Sequence, residues 1–111
     1  MSETHQRKTL IYLTGFMGSG KSTIGPILAN TLGYDFADVD KVIERRVGKS
    51  VKEIFAEDGE KFFRAIEHQV LAEMSAREHQ VVSLGGGSIV DPGNFALVRS
   101  SGILVYLYSS Q

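Results

Sequence analysis

The sequence predicts an α/β fold in which helices cover a parallel β-sheet. Short apolar stretches rich in β-branched and aromatic residues alternate with longer stretches whose apolar residues recur at helical spacing. The short stretches are apolar on both faces, which is typical of strands buried in a parallel sheet rather than of strands with one solvated face. Strands that alternate with helices in this way indicate one layered domain.

The first strand and the first helix enclose a glycine-rich segment. The apolar run 9–14 predicts a strand that ends at Gly15, and 21–32 predicts a helix that stops at Gly33. Pro26 falls beyond the first helical turn, so we expect a local bend there. The predicted apolar face of this helix consists of Ile24, Ile27, Leu28 and Leu32.

The second strand is predicted at 34–39 and leads into two short helices. The first of these spans 41–47, with Asp40 as its expected cap and Gly48 as its stop. The second begins with the sequence Ser-Val-Lys-Glu at 50–53, which has the spacing of a capping box.

The second half of the chain predicts two helices and two strands. The longest helix is expected over 60–77, where apolar residues repeat at helical spacing, and a strand at 81–84 follows it. An Asp-Pro pair precedes a helix that runs to about residue 100, because proline is favoured in the first helical turn. The fourth strand is predicted at 102–108.

Length and composition favour a single domain spanning 1–111. The net charge of −1 includes no basic excess, so we expect no binding to nucleic acid. No apolar run approaches the roughly 20 residues that cross a bilayer, and the first eight residues lack the apolar segment of a secretory signal. With no cysteine for disulfides, these features predict a cytoplasmic protein without a membrane partner.

The segment 15–22, Gly-Phe-Met-Gly-Ser-Gly-Lys-Ser, matches the phosphate-binding pattern G-x-x-x-x-G-K-[ST]. Glycines let the backbone approach phosphate oxygens, and successive N–H groups form an anion nest at a helix N-terminus. Lys21 is expected to reach the β- and γ-phosphates, and the Ser22 hydroxyl to coordinate Mg²⁺. The alternative is a glycine-rich turn with a surface lysine.

Two aspartates, Asp38 and Asp40, lie at the end of the second predicted strand. Ligands of open parallel sheets bind at the carboxyl ends of the strands. One carboxylate can therefore hold metal-bound water while the other accepts a hydrogen bond from a substrate hydroxyl or takes its proton. The alternative is a helix cap at Asp40 and a solvated acid at Asp38.

Arg64 falls off the apolar stripe of the long helix, and Glu67 lies three residues further on. This spacing lets Glu67 brace the guanidinium, which would suit a substrate that bears a carboxylate. The alternative is an exposed basic residue. The three histidines show no metal-ligand spacing and are predicted to lie on the surface.

Gly85, Gly86 and Gly87 directly follow the third predicted strand. Three glycines in a row carry a cost in conformational entropy. They indicate close approach of a ligand that is bound by backbone N–H groups, with a flexible turn as the alternative.

Four motifs in this order resemble the shikimate kinase family: GFMGSGKST at 15–23, DVD at 38–40, FFRAIE at 62–67 and LGGGS at 84–88. The resemblance spans about 10–107. It implies a P-loop kinase-type three-layer sandwich with sheet order 2-3-1-4-5, of which four strands are present. It also implies transfer of the ATP γ-phosphate to the 3-hydroxyl of shikimate, on the route to chorismate and the aromatic amino acids.

The resemblance assigns roles to individual residues. Lys21 and Asp40 would be catalytic, and Ser22 and Asp38 would hold Mg²⁺, the latter through water. Asp40 and Arg64 would also bind shikimate, through its hydroxyls and its carboxylate. The nucleotide phosphates would be held by Gly15, Gly18, Ser19, Gly20, Lys21, Ser22 and Thr23. The shikimate ring would contact Gly85, Gly86 and Gly87.

The resemblance implies that, relative to the family pattern, this chain is shortened at its C-terminus and lacks the lid and the last strand and helix. We therefore expect the fourth strand to lie at a sheet edge, with Leu104, Tyr106 and Tyr108 on or near that edge. We also expect a monomer. Two alternatives stay open: a non-catalytic ATP-binding fragment, and a related small-metabolite kinase that resembles gluconate kinase.

Overall fold

The described part of the chain contains four strands, which form one parallel sheet. They are Leu10–Gly15 (β1), Asp35–Asp38 (β2), Gln80–Ser83 (β3) and Ile103–Leu107 (β4), and they are ordered β2-β3-β1-β4. The computed structural model describes residues 9–15, 21–85 and 87–107. The α/β class, the parallel pairing and the order of the four strands are confirmed.

Within the described residues, five α-helices connect or cover the strands. They are Lys21–Leu32 (α1), Val39–Val47 (α2), Val51–Glu57 (α3), Glu60–Met74 (α4) and Pro92–Ser101 (α5), and a short 3₁₀ helix spans Ser88–Val90. α4 ends three residues before the predicted end at residue 77, because the backbone tightens into a turn in which Arg77 N–H donates to Met74 O.

The helix caps agree with the sequence at two places and disagree at a third. Ser50 and Glu53 form the predicted capping box, and Asp91 accepts from backbone N–H groups at the start of α5. The expected cap at Asp40 is wrong, because Asp38 caps α2 by accepting from Lys41 N at 3.2 Å. The helix therefore begins two residues earlier than predicted.

The apolar face predicted for α1 is also wrong at three of its four residues, since only Leu28 packs against the core beneath the helix. Ile24, Ile27 and Leu32 are 42%, 61% and 43% exposed, whereas Gly25 and Ala29 are buried. A β-carbon on Gly25 would overlap the ring of Phe36, so α1 approaches the sheet through its small residues. Helical spacing identified the helix, but close packing against β2 selected a different face. α1 includes Pro26 within its length.

The sheet separates two apolar clusters, which gives three layers. One cluster contains Tyr12 and Val82 and packs against α2, α4 and α5. The other contains Leu13, Val81 and Ala29 and lies against α1. Alternate residues of each strand enter opposite clusters, as the pleat requires.

The strands end together at one edge of the sheet. Asp38 is in register with Ser83, and Ser83 is in register with Leu13, two residues before the end of β1. The N–H of Leu84 continues this alignment by donating to Leu13 O at 2.9 Å. The carboxyl ends of β2, β3 and β1 therefore lie side by side at this edge, where α2 begins directly after β2.

β4 lies at an outer edge of the sheet, as expected. Tyr106 is 50% exposed and Leu104 is partly buried, while Tyr108 lies outside the described residues. Within the part of the chain that the structure describes, no helix is long and apolar enough to cross a membrane.

Candidate functional site

A cavity of about 170 Å³ opens at the carboxyl edge of the sheet. Its walls come from α2, α3, α4 and the segment after β3. They bring together three of the sequence motifs that were far apart along the chain. The lining residues are Asp40, Val51, Phe55, Phe63, Arg64, Glu67, Gly85 and Gly87.

Asp40 reaches this cavity from the first turn of α2 and lies directly against Gly85. A β-carbon on Gly85 would lie 2.7 Å from Oδ1 of Asp40, closer than a β-carbon approaches other atoms in proteins. Glycine at position 85 therefore leaves the space that the carboxylate occupies. The cap made by Asp38 sets where α2 begins and so directs Asp40 toward the cavity.

Arg64 enters the cavity from α4 and is paired with Glu67, as predicted from their spacing. Nη1 of Arg64 donates to both carboxylate oxygens of Glu67, at 2.9 and 3.1 Å, and Nε lies 3.5 Å from a Glu60 oxygen. The guanidinium also lies over the ring of Phe63, at 5.3 Å from its centroid. The side chain is 27% exposed, so a ligand can reach it.

These partners keep Arg64 charged. Partial burial works against the charge, but the ion pairs with Glu67 and Glu60 outweigh that effect and raise the pKa of the guanidinium. A permanent cation with one face on an aromatic ring and one edge on a carboxylate is suited to binding a ligand anion.

Glu67 is fully buried and receives two further hydrogen bonds that the sequence did not reveal. Ser88 Oγ donates to Oε2 at 2.6 Å, and Asn94 Nδ2 donates to Oε1 at 3.3 Å. Both donors are fully buried. The signals available in the sequence were weak: a serine next to the glycine run and an asparagine in the first turn of α5.

His68 is exposed, as predicted, but it also makes a side-chain hydrogen bond that the sequence did not indicate. Its Nδ1 lies 2.6 Å from Oδ1 of Asn94. Because Nδ2 of Asn94 donates to Glu67 and to Ser88 O, Oδ1 is the acceptor in this bond. His68 Nδ1 is therefore the donor. His79 is exposed as predicted, and His5 lies outside the described residues.

The glycines after β3 serve the side chains of the cavity. A β-carbon on Gly87 would overlap Nη2 of Arg64, as one on Gly85 would crowd Asp40. Gly86 lies outside the described residues. The prediction invoked close approach of a ligand; the structure adds that Gly85 and Gly87 make room for the two groups that line the cavity.

The segment that matches the phosphate-binding pattern lies between a strand and a helix, as the pattern predicts. Gly15 ends β1, and Lys21, Ser22 and Thr23 begin α1. Thr23 is exposed. Gly18, Ser19 and Gly20, as well as the side chains of Lys21 and Ser22, lie outside the described residues.

Asp38 has a carboxylate, the kind of oxygen ligand that binds Mg²⁺. Its carboxylate is partly buried at the end of β2, and Oδ1 accepts the cap bond from Lys41 N. Among the described residues, no hydrogen bond involves Oδ2, and no group of three or more His, Cys, Asp or Glu could hold a metal. Mg²⁺ commonly binds through one or two carboxylates together with substrate phosphates, so a single carboxylate at the end of β2 fits this ion.

Comparisons with known proteins identify the family of this chain. The family model described as shikimate kinase matches residues 17–111. A shikimate kinase of Chlorobium chlorochromatii is 58% identical over 101 residues, which are 91% of this chain and 53% of that protein. One from Chlorobaculum tepidum is 56% identical over 102 residues, which are 92% and 53% of the two proteins.

Solved structures give the same result. The shikimate kinase of Acinetobacter baumannii in complex with shikimate superposes with a TM-score of 0.88 at 43% identity, covering 92% of this chain and 57% of that one. The Aquifex aeolicus shikimate kinase gives a TM-score of 0.82 at 41% identity, covering 87% and 58%.

The chain spans about half the length of the curated relatives that it matches. These matches favour the shikimate kinase interpretation over the one based on gluconate kinase. Because the family model covers most of the sequence and the solved neighbours share the fold, the chain belongs to the shikimate kinase family.

Proposed function

We propose that this chain carries the phosphate-binding and acceptor-binding parts of a kinase that transfers the γ-phosphate of ATP to the 3-hydroxyl of shikimate. The observation that carries the proposal is the shared cavity of about 170 Å³, in which an acidic group, Asp40, and a cationic group, Arg64, face the same space. Shikimate bears both hydroxyls and a carboxylate, so it presents complementary groups to both.

Arg64 binds the carboxylate of the acceptor, and Asp40 accepts a hydrogen bond from the hydroxyl that attacks. As the oxygen–phosphorus bond forms and the bond to ADP breaks, the hydroxyl proton leaves toward the Asp40 carboxylate. Holding a small ring at both ends places its hydroxyl in line with the phosphate, and such positioning supplies much of the acceleration in phosphoryl transfer.

The nucleotide is assigned to the loop between β1 and α1. Its backbone N–H groups hold the phosphates together with Lys21 and Thr23. Ser22 and Asp38 would hold Mg²⁺, which neutralises phosphate charge when bound. We propose the cytoplasm as the location, because ATP and small polar metabolites are available there.

Calorimetric titration of the 111-residue chain with shikimate, and separately with ATP and Mg²⁺, tests this function. We expect both to bind, and Arg64→Gln to weaken shikimate binding by about tenfold to 100-fold because a hydrogen-bonded ion pair is lost. Arg77→Gln, an exposed arginine after the same helix, is the matched control and should bind normally.

The transfer reaction itself is followed by phosphorus NMR for formation of shikimate 3-phosphate. Binding of ATP without shikimate would support the non-catalytic alternative instead. Turnover of gluconate without turnover of shikimate would contradict the assignment of the acceptor.

A further inference from the structure

The carboxylate of Glu67 accepts four hydrogen bonds from three residues. Oε1 accepts from Arg64 at 2.9 Å and from Asn94 at 3.3 Å, and Oε2 accepts from Arg64 at 3.1 Å and from Ser88 at 2.6 Å. Each oxygen is therefore bound both to the cation and to a neutral donor. Glu67 itself is fully buried.

The two neutral donors hold each other in place. Nδ2 of Asn94 also donates to the backbone oxygen of Ser88 at 3.1 Å. Oδ1 of Asn94 accepts a hydrogen bond from His68 Nδ1 at 2.6 Å. Ser88 and Asn94 have no exposed surface. This arrangement fixes the plane of the Glu67 carboxylate, because turning it would leave buried donors unpaired.

Fixing Glu67 fixes Arg64 in turn. A second carboxylate near Arg64, that of Glu60, is 68% exposed and lies 3.5 Å away, so it restrains the guanidinium weakly. Within the described part of the chain, the hydrogen bonds of Arg64 to Glu67 use Nη1, whereas Nη2 faces Gly87 at the wall of the cavity. The orientation of Nη2 thus depends on the orientation of the Glu67 carboxylate.

The neutral donors also affect the charge that a ligand meets. A bound carboxylate would be attracted by Arg64 but repelled by Glu67, which lines the same cavity. Hydrogen bonds from Ser88 and Asn94 to Glu67 offset part of its negative field without adding a charge. The positive end of Arg64 is then available to the ligand.

We infer that Ser88 and Asn94 are positioning residues that act through Glu67 to preorganise Arg64 for the acceptor carboxylate. This inference rests on the proposed function. It concerns the carboxylate alone, since neither residue lines the cavity and the hydroxyl-binding group, Asp40, lies on another element.

The test compares shikimate with its methyl ester, which keeps the hydroxyls but carries no negative charge. Both are titrated by calorimetry into the 111-residue chain and its Ser88→Ala variant. We expect the variant to bind shikimate about five- to tenfold more weakly, which is less than the effect of losing a direct charge-assisted hydrogen bond because Ser88 acts through Glu67, and to bind the ester within about twofold of the unmodified chain.

Ser88→Cys guards against a folding defect, because a thiol is a weaker donor of similar size. The ratio of acid affinity to ester affinity should fall in the order Ser, Cys, Ala. Ser100→Ala, at an exposed serine of α5, is the matched control and should leave that ratio unchanged. Urea unfolding of each variant confirms that the folded protein was titrated.

The outcomes separate the two proposals. If the unmodified chain does not bind shikimate, the proposed function fails. If it binds shikimate more tightly than the ester but Ser88→Ala lowers both affinities equally, or neither, the positioning role is overturned while the proposed function stands.

Discussion

Nη2 of Arg64 lies in the space that a β-carbon of Gly87 would fill. The backbone at Gly87 has a φ of −110° and a ψ of 8°, so it lies outside the left-handed region that demands glycine. Position 87 therefore requires glycine because a β-carbon would displace Arg64, and not because of the backbone conformation.

Gly87→Ala should weaken shikimate binding by about tenfold or more while changing stability little. The added methyl group pushes the end of a flexible arginine out of the cavity, at a cost comparable to a charged hydrogen bond of about 1.5–3 kcal/mol. Calorimetry with shikimate and urea unfolding measure the two effects.

The matched control is Gly48→Ala, where φ is +84° and, among the described residues other than its chain neighbours, no atom lies within 4 Å of the added carbon. This variant should lose about 1–2 kcal/mol of stability through backbone strain and bind shikimate normally. Equal shikimate affinity in Gly87→Ala and the unmodified chain would contradict the steric relationship with Arg64.

Glu67→Gln should lower the free energy of unfolding by about 2 kcal/mol, less than for a wholly buried ion pair because Arg64 is partly exposed. The amide keeps the shape of the side chain but turns one acceptor into a donor, which faces the buried donors Ser88 and Asn94. Urea unfolding at neutral pH measures the loss. Glu78→Gln, at an exposed glutamate, serves as the control. Similar urea-unfolding curves for the two variants would contradict this prediction.

Alkaline pH should destabilise the protein partly through Tyr12. Burial raises the pKa of the Tyr12 hydroxyl, an effect that the 2.8 Å hydrogen bond with Ser101 opposes. Since the folded pKa exceeds the unfolded one, this contribution to stability is full below about pH 10 and is lost as the pH rises through the folded pKa.

Tyr12→Phe removes the titrating group. At pH 8 it should cost about 1 kcal/mol for the lost hydrogen bond, and this deficit should shrink as the pH rises above 10. Urea unfolding across that range provides the test. A deficit that stays constant or grows with pH would show that Tyr12 does not carry this part of the alkaline sensitivity.

Arg46 and Glu73 form a two-pronged ion pair between α2 and α4, with N–O distances of 2.9 and 2.8 Å. The hydrogen bond from Arg46 lowers the pKa of Glu73. This contribution to stability is therefore present above the unfolded pKa of the carboxyl and is lost as the pH falls through the lower, folded value.

Glu73→Gln should unfold at lower urea concentration than the unmodified chain at pH 7, and the difference should narrow both at acid pH and in 1 M salt, since exposed pairs are screened. Glu57→Gln, which removes one of two carboxylates paired with Lys49, is a useful comparison at another surface pair. A difference that survives both acid and salt would contradict an electrostatic origin.

Local sequence patterns determined the kinds of elements and their order. The alternation of apolar strands with helical stretches was enough to predict the parallel sheet. Short-range sequence signals located the capping box at Ser50 and the cap at Asp91. The spacing of Arg64 and Glu67 anticipated their ion pair because both lie on one turn of one helix. Such features depend on neighbours within a few residues, which the sequence displays directly.

Contacts between distant segments were decided only in the tertiary structure. Helical spacing could not show that α1 would pack through Gly25, because the ring of Phe36 on another element occupies that space. Nor could it show that Ser88 and Asn94 would bind a buried carboxylate 21 and 27 residues away. Burial and pairing depend on how whole elements pack, and that packing brings the cavity residues together.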